Sequence, residues 1–114
     1  VRQLGFALKA LERGVNAPVL VYAIVEDGGL ATKVGKCTGH PLVRLATLQT
    51  GSARELKLLA WDGTVTERQA HRKLWPHRIR NEWFRTEAVL PLVLSWAWLD
   101  VELYGVLRGQ LCTS

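Results

Sequence analysis

The sequence predicts a single domain of the α/β class, of the α+β kind, and three observations lead there. Three short apolar runs, the first of them β-branched, alternate with stretches whose apolar residues recur every three or four positions. Gly, Pro, Asp and Thr residues that end or turn an element fall between these runs. The chain has 114 residues, 48% of them hydrophobic and 22% charged, which supports one buried core and is too apolar for a disordered chain.

The elements follow in order. Leu4, Ala7, Leu8 and Leu11 form one stripe and Gly14 stops it, so residues 2–13 are predicted as an amphipathic helix. After Pro18, residues 19–25 (VLVYAIV) have strand length and are apolar throughout, which predicts burial on both faces. Asp27-Gly28-Gly29 turns the chain into a second strand over residues 31–36, giving a hairpin. Pro41 suits the first turn of a helix with Leu42, Leu45, Ala46 and Leu48 as its stripe, ended at Thr50-Gly51-Ser52. Leu56 to Trp61 is the third strand, and Asp62-Gly63 turns out of it. Thr64 or Thr66 can cap the next helix, which carries Glu67, Ala70, His71 and Leu74 until Pro76 stops it. A basic loop leads to Glu82-Trp83-Phe84. Thr86 can then cap a last helix in which Val89, Leu90, Val93, Leu94, Trp96 and Ala97 are apolar nearly all round, implying deep burial or a partner surface, including a second copy of the chain. Residues 1–17 are thus an N-terminal helical extension, 18–85 a core, and 86–114 a C-terminal helix and tail.

Charge and cysteine usage narrow the function. The net charge is +5, and between Glu67 and Arg85 six cations, Arg68, Arg72, Lys73, Arg78, Arg80 and Arg85, face only Glu67 and Glu82. Such a segment attracts a polyanion, although a charge run is also what a solvated helix face carries. Cys37 and Cys112 are far apart without metal spacing, which fits free thiols in a reducing cytoplasm, with Cys112 in a tail expected to fray. Arg2, Lys9, Glu12 and Arg13 interrupt any secretory signal, and no uncharged run exceeds 12 residues, the length of Ala88 to Leu99, against the roughly 20 needed to span a bilayer. No membrane role is expected.

One set of residues carries chemistry. Leu20-Val21-Tyr22 is followed ten residues later by Lys33-Val34-Gly35, then by Arg44-Leu45, Leu48-Gln49-Thr50-Gly51, Glu67 with His71, and Glu82-Trp83-Phe84. This order resembles the GIY-YIG nuclease family, in the divergent branch related to the T5orf172 and meiotically up-regulated 113 domains, over roughly residues 19–85. The chain departs from the name-giving pattern by carrying Lys33 where a second tyrosine stands, and Asn81 where that branch commonly has Gly. The resemblance implies a small three-stranded antiparallel sheet flanked by helices, and phosphodiester cleavage with one divalent metal, Mg²⁺ or Mn²⁺. DNA is the expected partner.

The same resemblance implies the roles. Tyr22 is the general base, and because its reference pKa is about 10 it needs cations to lower it, with Lys33 and Arg44 as candidates. Arg44 grips phosphate oxygens through its planar guanidinium. Glu67 is the single protein ligand of a hard cation otherwise held by phosphate and water. His71, one turn along the same helical face, meets the same phosphate as a donor or proton carrier. A zinc site is disfavoured, because no third nitrogen or sulfur ligand stands out. Gly35 leaves room for a close approach, and Glu82, Trp83 and Phe84 close the core beneath the site, with Glu82 tying down a loop or a basic side chain. Arg68, Arg72, Lys73, Arg78 and Arg80 are the expected nucleic-acid contacts. The competing expectation is a binding module of the same fold that no longer cuts, motivated by the missing second tyrosine.

Overall fold

The computed structural model describes residues 18–111. The helix expected over residues 2–13 and the tail with Cys112 lie outside the described residues.

At the centre is the hairpin of β1 (Val19–Glu26) and β2 (Ala31–Thr38), joined by a turn in which Gly28 and Gly29 have φ of 96° and 78°, a region open to glycine. Leu20 through Val25 are all buried, as an apolar run without alternation requires. On the far side of β1 runs β3 (Leu56–Asp62), antiparallel, so β2-β1-β3 are the three expected strands.

The sheet is larger than expected. It has six strands in the order β4-β5-β2-β1-β3-β6, every neighbouring pair antiparallel, and this corrects the three-stranded reading. The additions are β4 (Arg78–Arg80), β5 (Trp83–Arg85) and β6 (Trp98–Leu99). Segments of two or three residues cannot display a period of two; they become strands because an existing edge offers unpaired backbone groups. Asn81 turns β4 into β5 with φ 47°, a left-handed conformation that Asn and Gly tolerate.

Among the described residues four α-helices cover both faces. On one face α1 (Pro41–Thr50) sets Leu45 and Leu48 against Leu20, Tyr22, Ile24, Leu58 and Trp61. Leu42, by contrast, is exposed, so the stripe is narrower than its sequence suggests. On the other face Val21, Ala23, Val25 and Val34 pack with Ala70 and Leu74 of α2 (Glu67–Leu74), Val89, Leu90 and Val93 of α3 (Thr86–Val93), and Leu107 of α4 (Val101–Leu111). A register shift of β3 against β1 between Ala23 and Ile24 lets consecutive Leu59 and Ala60 join this second core. Among the described residues no helix is long and apolar enough to cross a membrane.

The apolar C-terminal helix also needs correction. α3 stops at Val93, the Trp96 N–H turns back to the Val93 carbonyl at 3.0 Å, and Trp98 and Leu99 pair with Trp61 and Ala60 as β6 before α4 begins. The break is captured by Asp62, whose carboxylate accepts the Ala97 N–H at 2.8 Å. Thr86 is not the cap of α3; that position is Arg85, while the Thr86 hydroxyl pairs with that of Thr32 at 2.7 Å inside the core.

Candidate active site

The site forms where β5 parts from β2. The two strands pair only at Ala31, Thr32 and Lys33, and at the next residue the ladder is continued by other partners. The Val34 N–H donates to the Glu82 carbonyl at 2.9 Å, and the Val34 carbonyl accepts from His71 Nε2 at 2.7 Å. A buried strand residue must place both backbone groups, and here doing so brings the β4–β5 turn and α2 to one point. Because a carbonyl only accepts, Nε2 carries the proton and Nδ1 of a neutral His71 keeps its lone pair.

Tyr22 stands opposite Gly35 in the hairpin register. A Cβ at Gly35 would lie 2.5 Å from the Tyr22 hydroxyl oxygen, 2.8 Å from Cζ and 3.2 Å from Glu82 Oε1. Gly35 therefore makes room, as expected, but for the phenol of Tyr22. The Arg44 guanidinium reaches the same phenol from α1, on the helix face that also carries Leu45 and Leu48. Its Nε is enclosed without a hydrogen-bond partner, and among the described residues Arg44 makes no ion pair. A half-buried cation left without a carboxylate is ready to meet an anionic ligand.

The expectation that cations lower the Tyr22 pKa holds for Arg44, but burial outweighs it. Burial pushes it above the usual tyrosine value, and Arg44 pulls it back only in part, while Glu82 adds to the rise. Lys33 does not help: its ammonium pairs with Glu82 Oε1 at 3.3 Å, beside the Trp83 ring.

Glu67 opens α2, capped by Thr66 in a reciprocal box: the Thr66 hydroxyl accepts the Gln69 N–H at 3.1 Å and Gln69 Oε1 accepts the Thr66 N–H at 3.0 Å. This resolves the choice between Thr64 and Thr66, since Thr64 is held by Asp62 instead. One donor atom from each of Glu67, His71 and Glu82 lies within 4.8 Å of the others, all half-buried. Burial raises the Glu67 pKa and the facing Glu82 carboxyl raises it further, against smaller opposing effects of His71 and Lys36. Two carboxyls and an imidazole that crowd together at such a cost are a donor set suited to a divalent cation, the oxygens fitting Mg²⁺ or Mn²⁺ and the nitrogen favouring Mn²⁺. Glu82 ties down the basic side chain of Lys33, as the sequence suggested, and also faces Glu67 and His71.

The remaining expected residues divide. Phe84 is fully buried with its ring 5.1 Å from that of His71, and Trp83 packs partly buried on the α1 side of the sheet. Arg68 lines a groove that also contains Glu67. Arg72 and Arg80 are exposed, and Arg78 donates to the Asn81 carbonyl at 2.9 Å and lies over the Trp75 ring. Lys73 lines a different depression, with Leu92 and Ser95. Sequence reasoning missed His40, which caps α1 by accepting the Leu42 N–H on Nδ1 at 3.0 Å; its place immediately before Pro41 was the available signal.

Comparison of the chain with protein-family models, with curated proteins and with solved structures finds no match.

Proposed function

We propose that this chain is a metal-dependent endonuclease that hydrolyses phosphodiester bonds in DNA. The reading is supported above all by one convergence: a phenol from β1, a guanidinium from α1, a carboxyl and an imidazole from α2, and a carboxyl from the β4–β5 turn meet around Gly35. Groups from four separate elements, several at an electrostatic cost, mark a site better than any one of them does.

Hydrolysis requires a deprotonated water, stabilisation of the charge that gathers on phosphorus, and a proton or cation for the leaving oxygen. Arg44 holds the non-bridging oxygens. Glu67, Glu82 and His71 would hold the cation, which would supply positive charge to the phosphate and to the leaving oxygen. Tyr22 accepts the proton of the attacking water. Since burial keeps its phenol protonated in the resting chain, the rate is expected to climb as pH rises through the neutral and alkaline range. Lys33 positions Glu82 and partly neutralises it.

Nicking of supercoiled plasmid with Mg²⁺ or Mn²⁺ is the test. The wild type is expected to nick, and Tyr22→Phe, Arg44→Ala and Glu67→Ala to lose the activity while remaining folded. A pure protein that never nicks, or an Arg44→Ala variant that nicks like the wild type, ends the proposal. A second reading, a module that binds without cutting, draws on the raised Tyr22 pKa and on the Lys33–Glu82 pair; salt-sensitive binding without nicking would favour it.

A further inference from the structure

We propose that a single strand of nucleic acid lies in a trough that rounds the open end of the β1–β2 hairpin, held at its midpoint by Lys36 and at its ends by Arg68 and Arg44. The nature of the ligand rests on the nucleolytic reading above; the path rests on the shape and charge of the surface.

Two depressions lie there. One, of about 530 Å³, is lined by Arg44, Thr38 and His40 at the start of α1. The other, of about 340 Å³, is lined by Thr66, Glu67 and Arg68 at the start of α2. Val19 and Lys36 line both, so the two depressions flank the same pair of residues at the open end of the hairpin. α1 and α2 cover opposite faces of the sheet, so a strand seated in both depressions passes from one face to the other.

Its charge suits a phosphodiester backbone. Arg68, Lys36 and Arg44 mark start, middle and end, and Glu67, a metal-site residue, is the one carboxylate among the described residues lining it. Lys36 is exposed and makes no ion pair among the described residues. His40 spends Nδ1 on the Leu42 N–H, so its proton sits on Nε2 as a neutral donor on the wall. A lysine offers a phosphate a point charge with no preference among bases. The bend selects the occupant: duplex DNA, with a persistence length of about 150 base pairs, resists turning round the edge of one small sheet, whereas a single strand follows it.

Binding is measured with a fluorescein-labelled 12-residue oligothymidylate, in chelator and without added metal, across about 50–200 mM salt. Lys36→Gln is expected to weaken binding equally for thymidine and adenosine oligomers. It should also flatten the slope of log affinity against log salt by about 0.7, the single-strand value for one phosphate contact. Lys36→Arg should restore the slope, and Lys57→Gln, whose lysine lies outside the trough beside Glu55, should leave it unchanged. An unaltered slope in Lys36→Gln, an equal loss in Lys57→Gln, tighter binding of a duplex of the same length, or no binding at all overturns the proposal. Lys36-dependent binding by a chain that never nicks keeps the trough and ends the nuclease reading; nicking with binding indifferent to Lys36 does the reverse.

Discussion

Asp62 and Glu67 lie on either side of one turn, and the chain treats these two carboxylates in opposite ways. Asp62 is 4% exposed, yet it accepts from the Thr64 N–H at 2.6 Å, the Thr64 hydroxyl at 2.7 Å and the Ala97 N–H at 2.8 Å. Burial alone would raise its pKa, but these donors more than offset it and hold it below the usual aspartate value. Glu67 is also partly withdrawn from water, but it faces the Glu82 carboxyl and its pKa is held above the usual value. A carboxylate whose lone pairs are satisfied by the chain stabilises the fold. One left crowded against its like costs stability, and such a cost is what the proposed cation site would relieve.

The sharpest way to break this contrast is to remove the charges around Glu67. Arg44→Ala and Glu67→Gln are each expected to cut nicking by about 100- to 1,000-fold, the scale for deleting one preorganised stabilising group, read from initial rates on plasmid. Glu67→Gln should at the same time leave stability unchanged or raise it by about 0.5–1 kcal/mol in urea unfolding, since it relieves the facing carboxyls. An inactive Glu67→Gln that is also markedly less stable would make Glu67 structural.

Asp62 should behave in reverse. Asp62→Ala takes the buried acceptor away from the Ala97 and Thr64 donors and is expected to cost about 1–3 kcal/mol in the same unfolding experiment. It should loosen the junction between α3 and β6 without abolishing activity per folded molecule.

The two groups also differ in pH response. Asp62 has a folded pKa depressed below 3.8, so its contribution is fully present above that value and fades as pH falls through the folded value. Glu67 has a folded pKa raised above 4.5, so its ionised form costs stability at neutral pH and protonation relieves that cost on acidification. Mn²⁺ affinity, followed by calorimetry, should therefore decline at a pH above the usual glutamate range, because the bound cation must displace the proton. Affinity that holds down to about pH 4 would remove Glu67 from the ligand set.

The mildest test concerns the space between the two regions. Gly35→Ala places a methyl group against the Tyr22 phenol and Glu82, and is expected to cost about 1–3 kcal/mol by overpacking and to slow nicking by displacing the phenol. Asn81→Gly, with φ already left-handed, should change neither property measurably.

Much of this was legible in the sequence. The hairpin, the third strand, the helix opened by Pro41 and the helix carrying Glu67 follow from local pattern: β-branched runs, glycines at the turn, Pro at a first turn, a capping threonine. The site was partly legible, because Tyr22, Arg44, Glu67 and His71 stand at recognisable positions on those elements. The closeness of Glu82 to Glu67 and His71 was not, since that link passes through no local pattern. Nor were β4, β5 and β6, whose few residues pair only because edges of the central strands were there to receive them.

The sequence by itself therefore determined where the helices and long strands run and which residue types could serve a phosphodiester. Periodicity, capping and turn preference act within a few residues and can be read along the chain. The tertiary structure alone decided that Lys33 is spent on Glu82, that burial outweighs Arg44 at Tyr22, and that Asp62 is satisfied while Glu67 is not. Desolvation and Coulomb interactions depend on distances between segments remote in sequence, and these exist only once the sheet and its helices have closed around them.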